Sequence, residues 1–307
     1  MTVVVEEVLA TPLRVALGTY PHTVPLKAGA VWSRPPSIDF LNVEPINRAF
    51  APMVRELRYD ICEMAIATFL LSRRFGYPLV LLPVDLYSRD QEGALLCMDG
   101  DRGIADPGDL SGKRIGVRSY SQTTGLWLRG ILQDDYGVAP GDLHWVVTEG
   151  AHVPNYADPP FVRLAPAGAD LLSMMRQGEL DAIVAGGEIP TDNDLKTVFP
   201  SPAGSAEQFR RKHGFQTINH VMVASRALVE SRPNLVVAFL EGLEASFSGT
   251  ASRAREAPRL GCGAIQAPLD LAIRYAIAQE LLPRHFSSDG IWAGFDRLAP
   301  LLGEHWK

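Results

Sequence analysis

The stretch Asp109-Leu-Ser-Gly-Lys-Arg-Ile-Gly-Val117, then Arg118-Ser-Tyr-Ser-Gln-Thr-Thr124, then Gly125-Leu-Trp-Leu-Arg-Gly-Ile-Leu132, decides the fold class. Gly112 marks a turn and the apolar run ending at Val117 reads as a strand. The segment from Gly125 to Tyr136 reads as a helix. Leu126, Ile131 and Leu132 form its apolar face, Thr123 or Thr124 supplies a cap, and Gly137 stops it. Strand, polar loop and helix in that order form the repeating unit of an α/β protein.

The same order recurs on both sides. Leu13–Gly18, Arg58–Met64, Leu79–Val84 and Gly93–Met98 read as strands before it, with a helical segment near Ala67–Arg74. After it come the strand His144–Val147, a helix near Ala169–Gln177 stopped by Gly178, and the strand Leu180–Ala185. A helix Ala206–His213 stopped by Gly214 precedes the strand Thr217–Ala224. The remainder reads as helical over Pro233–Phe247, Leu269–Leu282 and Ile291–Leu302. The Pro/Gly-rich segments near Ala157–Gly168 and Phe199–Gly204 read as loops.

The 307 residues suggest about two domains. Hydrophobic residues at 47% and charged residues at 21% supply a sizeable core. Twenty-nine Lys and Arg against 35 Asp and Glu leave a net charge of −6 with no basic run, which argues against nucleic acid as a partner. Cys62, Cys97 and Cys262 are scattered and odd in number, so neither a disulfide framework nor a structural zinc site is expected. Glu6 and Glu7 interrupt the only apolar stretch near the N-terminus, a poor secretory signal, and no run reaches the length of a membrane span. The expectation is a soluble, cytoplasmic protein, with homo-oligomerisation left open.

Motifs for ordinary enzyme classes are missing. Gly108-Asp-Leu-Ser-Gly-Lys113 is one residue too short between its glycines for a phosphate loop, lacks Ser or Thr after the lysine, and precedes a strand. No GxGxxG follows a strand, and there is no GxSxG or HExxH. What remains is a set of polar residues where strands end, the edge at which open α/β sheets bind ligands. These are Tyr20-Pro-His-Thr23, Glu63, the Arg118–Thr124 loop, Glu149-Gly-Ala-His152, Gly186-Gly-Glu188, and Asn219 with His220.

At these residues the sequence resembles the 4,5-dihydroxyphthalate decarboxylase family. The carriers are Gly18-Thr-Tyr-Pro-His-Thr23, Tyr59-Asp-Ile-Cys-Glu-Met64, Leu110–Val117, Gln122–Leu132 with Tyr136-Gly-Val138, Gly178-Glu-Leu-Asp-Ala182 and Asn219-His-Val221. Two departures fall in the expected pocket: Pro21-His22 stands where that family has Asp-Arg, and Arg118-Ser119 where it has Pro-Glu. The resemblance implies a two-lobed type 2 periplasmic-binding-protein-like fold with the ligand in an interlobe cleft. Lobe one is then expected at 1–92 and 222–307, and lobe two at 93–221. It also implies decarboxylation of a hydroxylated aromatic carboxylic acid without a cofactor; no metal ligands are assigned, and a divalent metal in the cleft is left open. The alternative is a non-catalytic solute-binding protein of an ABC-type importer, holding a small aromatic carboxylate in the same cleft.

Such a decarboxylation needs a proton donor at the ring carbon that loses CO2, a clamp for a retained carboxylate, and a group to polarise the hydroxyl. His22, His152 and His220 are the candidate acids because imidazole titrates near neutrality. Glu63, costly to bury unpaired, is the candidate partner of a hydroxyl or a histidine. Arg118 could grip a carboxylate in bidentate fashion. Ser121, Thr123 and Thr124 open a helix, where N–H groups and hydroxyls favour anions. Tyr20 and Tyr120 are expected to wall the ring, with Thr23 and Asn219 beside it. Trp127 and Cys62 are expected in the core.

Overall fold

The computed structural model describes residues 11–33, 36–100, 103–187, 189–249 and 258–306. The N-terminal stretch Met1–Ala10 and Glu188 of the expected Gly186–Glu188 loop lie outside the described residues. The chain first lays down β1 (Leu13–Ala16), β2 (Ile38–Leu41), β3 (Ile61–Ala65) and β4 (Leu79–Ser88). It then crosses to a second sheet of β5 (Leu95–Met98), β6 (Arg114–Val117), β7 (His144–Val147), β8 (Val162–Leu164), β9 (Ala182–Val184) and β10 (Leu195–Thr197). It returns for β11 (Ile218–Ser225) and β12 (Arg259–Leu260). The helices are α1 (Val24–Lys27), α2 (Phe50–Glu56), α3 (Ile66–Arg74), α4 (Thr123–Tyr136), α5 (Leu171–Arg176), α6 (Pro202–His213), α7 (Arg226–Ser231), α8 (Pro233–Gly249) and α9 (Cys262–Ala278).

Among the described residues the strands form two six-stranded sheets, ordered β12-β4-β11-β3-β1-β2 and β10-β5-β9-β6-β7-β8. In the first, β1, β2 and β3 run parallel, and β11 is antiparallel to both β3 and β4. The C-terminal ends of β1 to β3 therefore share one edge with the start of β11. In the second sheet β6, β7, β8 and β9 are parallel, which gathers their C-terminal ends in the same way.

Every residue of β3 and the first eight of β4 are buried, as central strands covered on both faces require. On one face Val80, Leu82, Val84 and Met222 meet Val236, Phe239, Leu240 and Leu243 of α8. On the other, Cys62, Met64 and Leu81 join a core shared with α3, α4 and α9. Trp127 is fully buried in that core, and its indole N–H donates to the Ile218 carbonyl at 2.7 Å. The helices α4 and α9 approach so closely that a Cβ on Gly130 would enter the Tyr275 ring. Gln279 links them: Arg129 Nε donates to its Oε1 at 2.7 Å, and its Nε2 donates to the Leu126 carbonyl at 2.8 Å.

The two crossings between the sheets are bonded to each other. The Arg89 N–H donates to the Thr217 carbonyl at 3.2 Å, and Gln91 Nε2 donates to Thr217 Oγ1 at 2.9 Å. All of β11 pairs within the first sheet, so the return crossing ends before Ile218.

Several local readings change or are added. The stretch Ile291–Leu302 holds 3-10 turns in place of a helix, because Gly294 adopts φ 98° and Pro300 has no N–H to donate. The segment expected as a loop near Ala157–Gly168 contributes the short edge strand β8, and α6 begins at Pro202 inside the other. Phe50–Glu56 is a helix, with Pro52 in the first turn where its missing N–H costs nothing. Finally, β4 continues past Val84 to Ser88. No helix among the described residues is long and apolar enough to cross a membrane.

Candidate active site

The site is built around Glu63, fully buried on β3. Its Oε1 accepts the Tyr20 hydroxyl at 2.6 Å, and His220 Nδ1 lies 2.6 Å from the same atom. Its Oε2 accepts the Gly18 backbone N–H at 2.8 Å. A buried carboxylate is tolerable only with such partners, and these three fill it. The loop after β1 is shaped for the purpose. Thr23 Oγ1 accepts the Tyr20 N–H and donates to the Gly18 carbonyl, both at 2.8 Å, folding Tyr20 back over Gly18. A Cβ on Gly18 would stand 2.6 Å from that ring, so the fold-back needs glycine there.

Burial, with the Glu63 charge next, pushes the Tyr20 phenol far above its ordinary range, so the hydroxyl stays protonated and donates. With Nδ1 of His220 directed at a carboxylate, its proton belongs there and Nε2 is left for a ligand. The His220 side chain is 17% exposed, enough to meet one.

Aromatic rings surround the pair. Tyr87, near the end of β4, stacks on Tyr20 with centroids 5.7 Å apart and lies 5.5 Å from His220. His22 also stacks on Tyr20, at 5.2 Å, and meets the edge of Phe247. Burial lowers the affinity of His22 for a proton, against the opposing pull of Glu63, and its Nε2 is buried without a hydrogen-bond partner. Phe50 of α2 sets its edge against both His220 and His152, at 5.2 and 5.9 Å. His152 Nδ1 is 2.9 Å from the hydroxyl of Thr68 on α3. Burial, then the nearby Arg118 charge, holds its pKa down at about 4. Beside Tyr20 opens a pocket of about 460 Å³, lined by Leu17 to Tyr20, Lys27 and Asn42 to Ile46. Lys27 Nζ donates to Thr19 Oγ1 at 2.7 Å within it.

The second sheet adds the start of α4. Ser121, Thr123 and Thr124 are buried there, and the residue before the helix, Gln122, makes no side-chain cap. Thr123 Oγ1 accepts the Ala67 N–H at 3.3 Å, and Thr124 Oγ1 accepts from Arg89 Nη2 at 2.7 Å. Ser121 Oγ is 3.1 Å from Ser119 Oγ. Asn219 Oδ1 accepts from Gln91 Nε2 at 2.8 Å.

Thus the structure brings Tyr20, His22, Glu63, His152 and His220 into one contiguous group, with Thr23 supporting the first of them. Tyr120 lies elsewhere. It is fully buried, donates to the Gln279 carbonyl at 3.2 Å and carries the Arg129 guanidinium over its ring. Arg118 is 2.7 Å from Glu149 in a solvent-facing ion pair. Cys62 is buried, and burial pushes its thiol up, which makes it an inert apolar neighbour. Among the described residues no three His, Cys, Asp or Glu side chains cluster as a metal ion needs.

A 4,5-dihydroxyphthalate decarboxylase from Pseudomonas putida is 31% identical over 182 residues, 56% of this chain and 69% of that protein. The chain belongs to the 4,5-dihydroxyphthalate decarboxylase family. A second protein of that name, from Comamonas testosteroni, is 29% identical over 248 residues, 76% of this chain and 74% of that protein. No family model matches the chain. Among solved structures, the periplasmic aliphatic sulphonate binding protein SsuA from Escherichia coli superposes with a TM-score of 0.52 at 14% identity, covering 93% of this chain and 83% of that one. A DSZB mutant in complex with biphenyl-2-sulfinic acid gives 0.52 at 17%, covering 94% and 99%. The fold of this decarboxylase-family chain is accordingly the two-lobed, type 2 periplasmic-binding-protein-like one.

Four residues of the site were not singled out by the sequence: Phe50, Thr68, Tyr87 and Arg89. Tyr87 and Arg89 carried a usable signal. Had the strand from Leu79 been run on past Val84, both would have stood at its C-terminal end, where ligands collect. Phe50 and Thr68 belong to helices whose inward faces become visible only in the packed chain.

Proposed function

We propose that this chain is a carboxy-lyase that removes one carboxylate from 4,5-dihydroxyphthalate and leaves 3,4-dihydroxybenzoate. One observation carries the reading: Glu63 Oε1 ties the Tyr20 hydroxyl and His220 Nδ1 together at 2.6 Å each, and of the three Tyr20 also lines a pocket. Both named relatives support the choice of substrate.

Each carboxylate of this substrate stands para to a hydroxyl. The hydroxyl pushes electron density into the ring, so that the carbon bearing the carboxylate can take a proton. His220 in its protonated form gives that proton from Nε2, and Glu63 holds the ring in place through Nδ1. As the carbon turns tetrahedral the para hydroxyl carbon becomes a protonated carbonyl, its oxygen keeping its proton. The bond to the carboxylate then breaks, its electron pair restores the aromatic ring and the hydroxyl, and CO2 leaves. The net reaction consumes one proton. Tyr20 and Tyr87 give the substrate ring an aromatic wall. His152, neutral above about pH 4, orders the loop after β7 against Thr68 and Phe50.

The lobes proposed to close over the substrate are 1–92 with 222–307 and 93–221 as read from the sequence, with the return boundary moved to before Ile218 because all of β11 pairs in the first sheet. Cys62 and Cys262 are free thiols, which fits a reducing compartment, and the cytoplasm is the proposed place of action. The test is incubation with 4,5-dihydroxyphthalate while CO2 and dihydroxybenzoate are quantified. Equal amounts of the two are expected. Calorimetric binding with no CO2 would replace the enzyme by a receptor.

A further inference from the structure

We propose that Arg89, on the first crossing between the sheets, holds the carboxylate that the substrate keeps. The inference rests on the decarboxylase reading for the identity of the anion, and on the structure for the position of the cation. Arg89 lies just past the end of β4 at Ser88, two residues after Tyr87, whose ring faces Tyr20 and His220. Its guanidinium makes one strong contact, from Nη2 to Thr124 Oγ1 at 2.7 Å, and one long one, from Nη1 to the Gly187 carbonyl at 3.5 Å. Its Nε is buried with no acceptor. No Asp or Glu among the described residues pairs with it, and the adjacent Asp90 is taken by Arg210.

That arrangement holds no counter-anion among the described residues. Thr124 lies in the first turn of α4, a helix of 14 residues whose uncapped N–H groups and positive dipole end are themselves unbalanced. A cation set against such an end repels it unless an anion lies between them. A carboxylate there would accept from Arg89 and from the first-turn N–H groups together, and would neutralise both. Arg118, the arginine the sequence favoured for this role, already has Glu149. With one carboxylate fixed at Arg89, the adjacent ring carbon is the one offered to His220. Arg89 thereby sets which of two neighbouring carboxylates is lost.

Calorimetry with phthalate and with catechol tests the assignment. Phthalate carries both carboxylates but lacks the para hydroxyl, and catechol carries only the hydroxyls. In Arg89→Gln or Arg89→Met, whichever retains the wild-type melting transition, phthalate affinity is expected to fall at least about tenfold, the scale of a charge-assisted hydrogen bond. Catechol affinity should stay within about threefold, since its hydroxyls need no cation. Unchanged phthalate affinity in a folded variant overturns the assignment, as does wild-type protein that fails to bind phthalate. The two readings fail separately. Wild-type binding of phthalate, lost in the variant, without CO2 from 4,5-dihydroxyphthalate would remove the decarboxylase and leave Arg89 as the anion site. Wild-type turnover with unaltered phthalate binding by the variant would remove Arg89 alone.

Discussion

His220 Nδ1 sits 2.6 Å from Glu63 Oε1, yet the two residues are not directly opposed in the sheet. Glu63 pairs with Met222 and His220 with Ala65, so the contact is a diagonal one across the antiparallel β3–β11 ladder. Diagonal neighbours on one face lie within reach of long side chains. The pair is thus held by two central strands of the sheet.

Glu63→Gln should lower CO2 release by at least about a hundredfold, the lower range for loss of an acid–base group's support. The amide keeps an acceptor for Tyr20 but no charge to complement a protonated His220. Substrate affinity should change far less than turnover. A variant that loses affinity and keeps its turnover rate would show Glu63 to be a binding group only.

Tyr20→Phe removes one hydrogen bond to Glu63 and should cost about 1 kcal/mol of stability. Gly18→Ala should disturb the same contact from behind, because the added Cβ would stand 2.6 Å from the Tyr20 ring. Urea unfolding of both single variants and the double variant checks this. Their effects should be less than additive, since each breaks one shared arrangement. Full additivity would mean that Gly18 does not position Tyr20.

Acid should find a weak point at His152. In the folded chain its pKa is about 4, against 6.5 for the ordinary imidazole. The unfolded chain therefore takes up the proton first, so this contribution is complete above about pH 6.5 and is lost as the pH falls towards 4. At about 1.4 kcal/mol per unit, the loss is on the order of 3 kcal/mol. Urea unfolding of wild type and His152→Gln at neutral pH and at the bottom of this window should show the wild type losing more. Equal losses would place the acid sensitivity elsewhere.

Arg118→Ala should alter stability by no more than about 1 kcal/mol, since exposed ion pairs such as Arg118 with Glu149 contribute little. Phthalate affinity should stay within about threefold, because the proposed carboxylate contact belongs to Arg89 and not to Arg118. A tenfold loss in calorimetry would return the carboxylate contact to Arg118.

Much of this arrangement was legible in the residues. The strand–loop–helix order from Asp109 to Tyr136 announced an α/β chain, and the strand ends drew attention to Tyr20, Glu63 and His220 one by one. Their union was not legible. Glu63 and His220 are 157 residues apart, and only the β3–β11 register brings them together. Tyr120 shows the converse limit. Its loop position suggested a pocket wall, but the chain turns it inward under Arg129, where ring and guanidinium stack with the guanidinium carbon 3.9 Å from the ring centroid. Tyr87 and Arg89 were missed because the strand from Leu79 was read only as far as Val84, whereas it continues to Ser88.

The proton donor is open to direct measurement through the rate of CO2 release from 4,5-dihydroxyphthalate by His220→Asn, set beside wild type. The asparagine amide can still bond Glu63 but offers no titrating nitrogen to the substrate. A fall of at least about a hundredfold in a variant that still binds phthalate is the expected result. Release at the wild-type rate would contradict the assignment of the proton to His220.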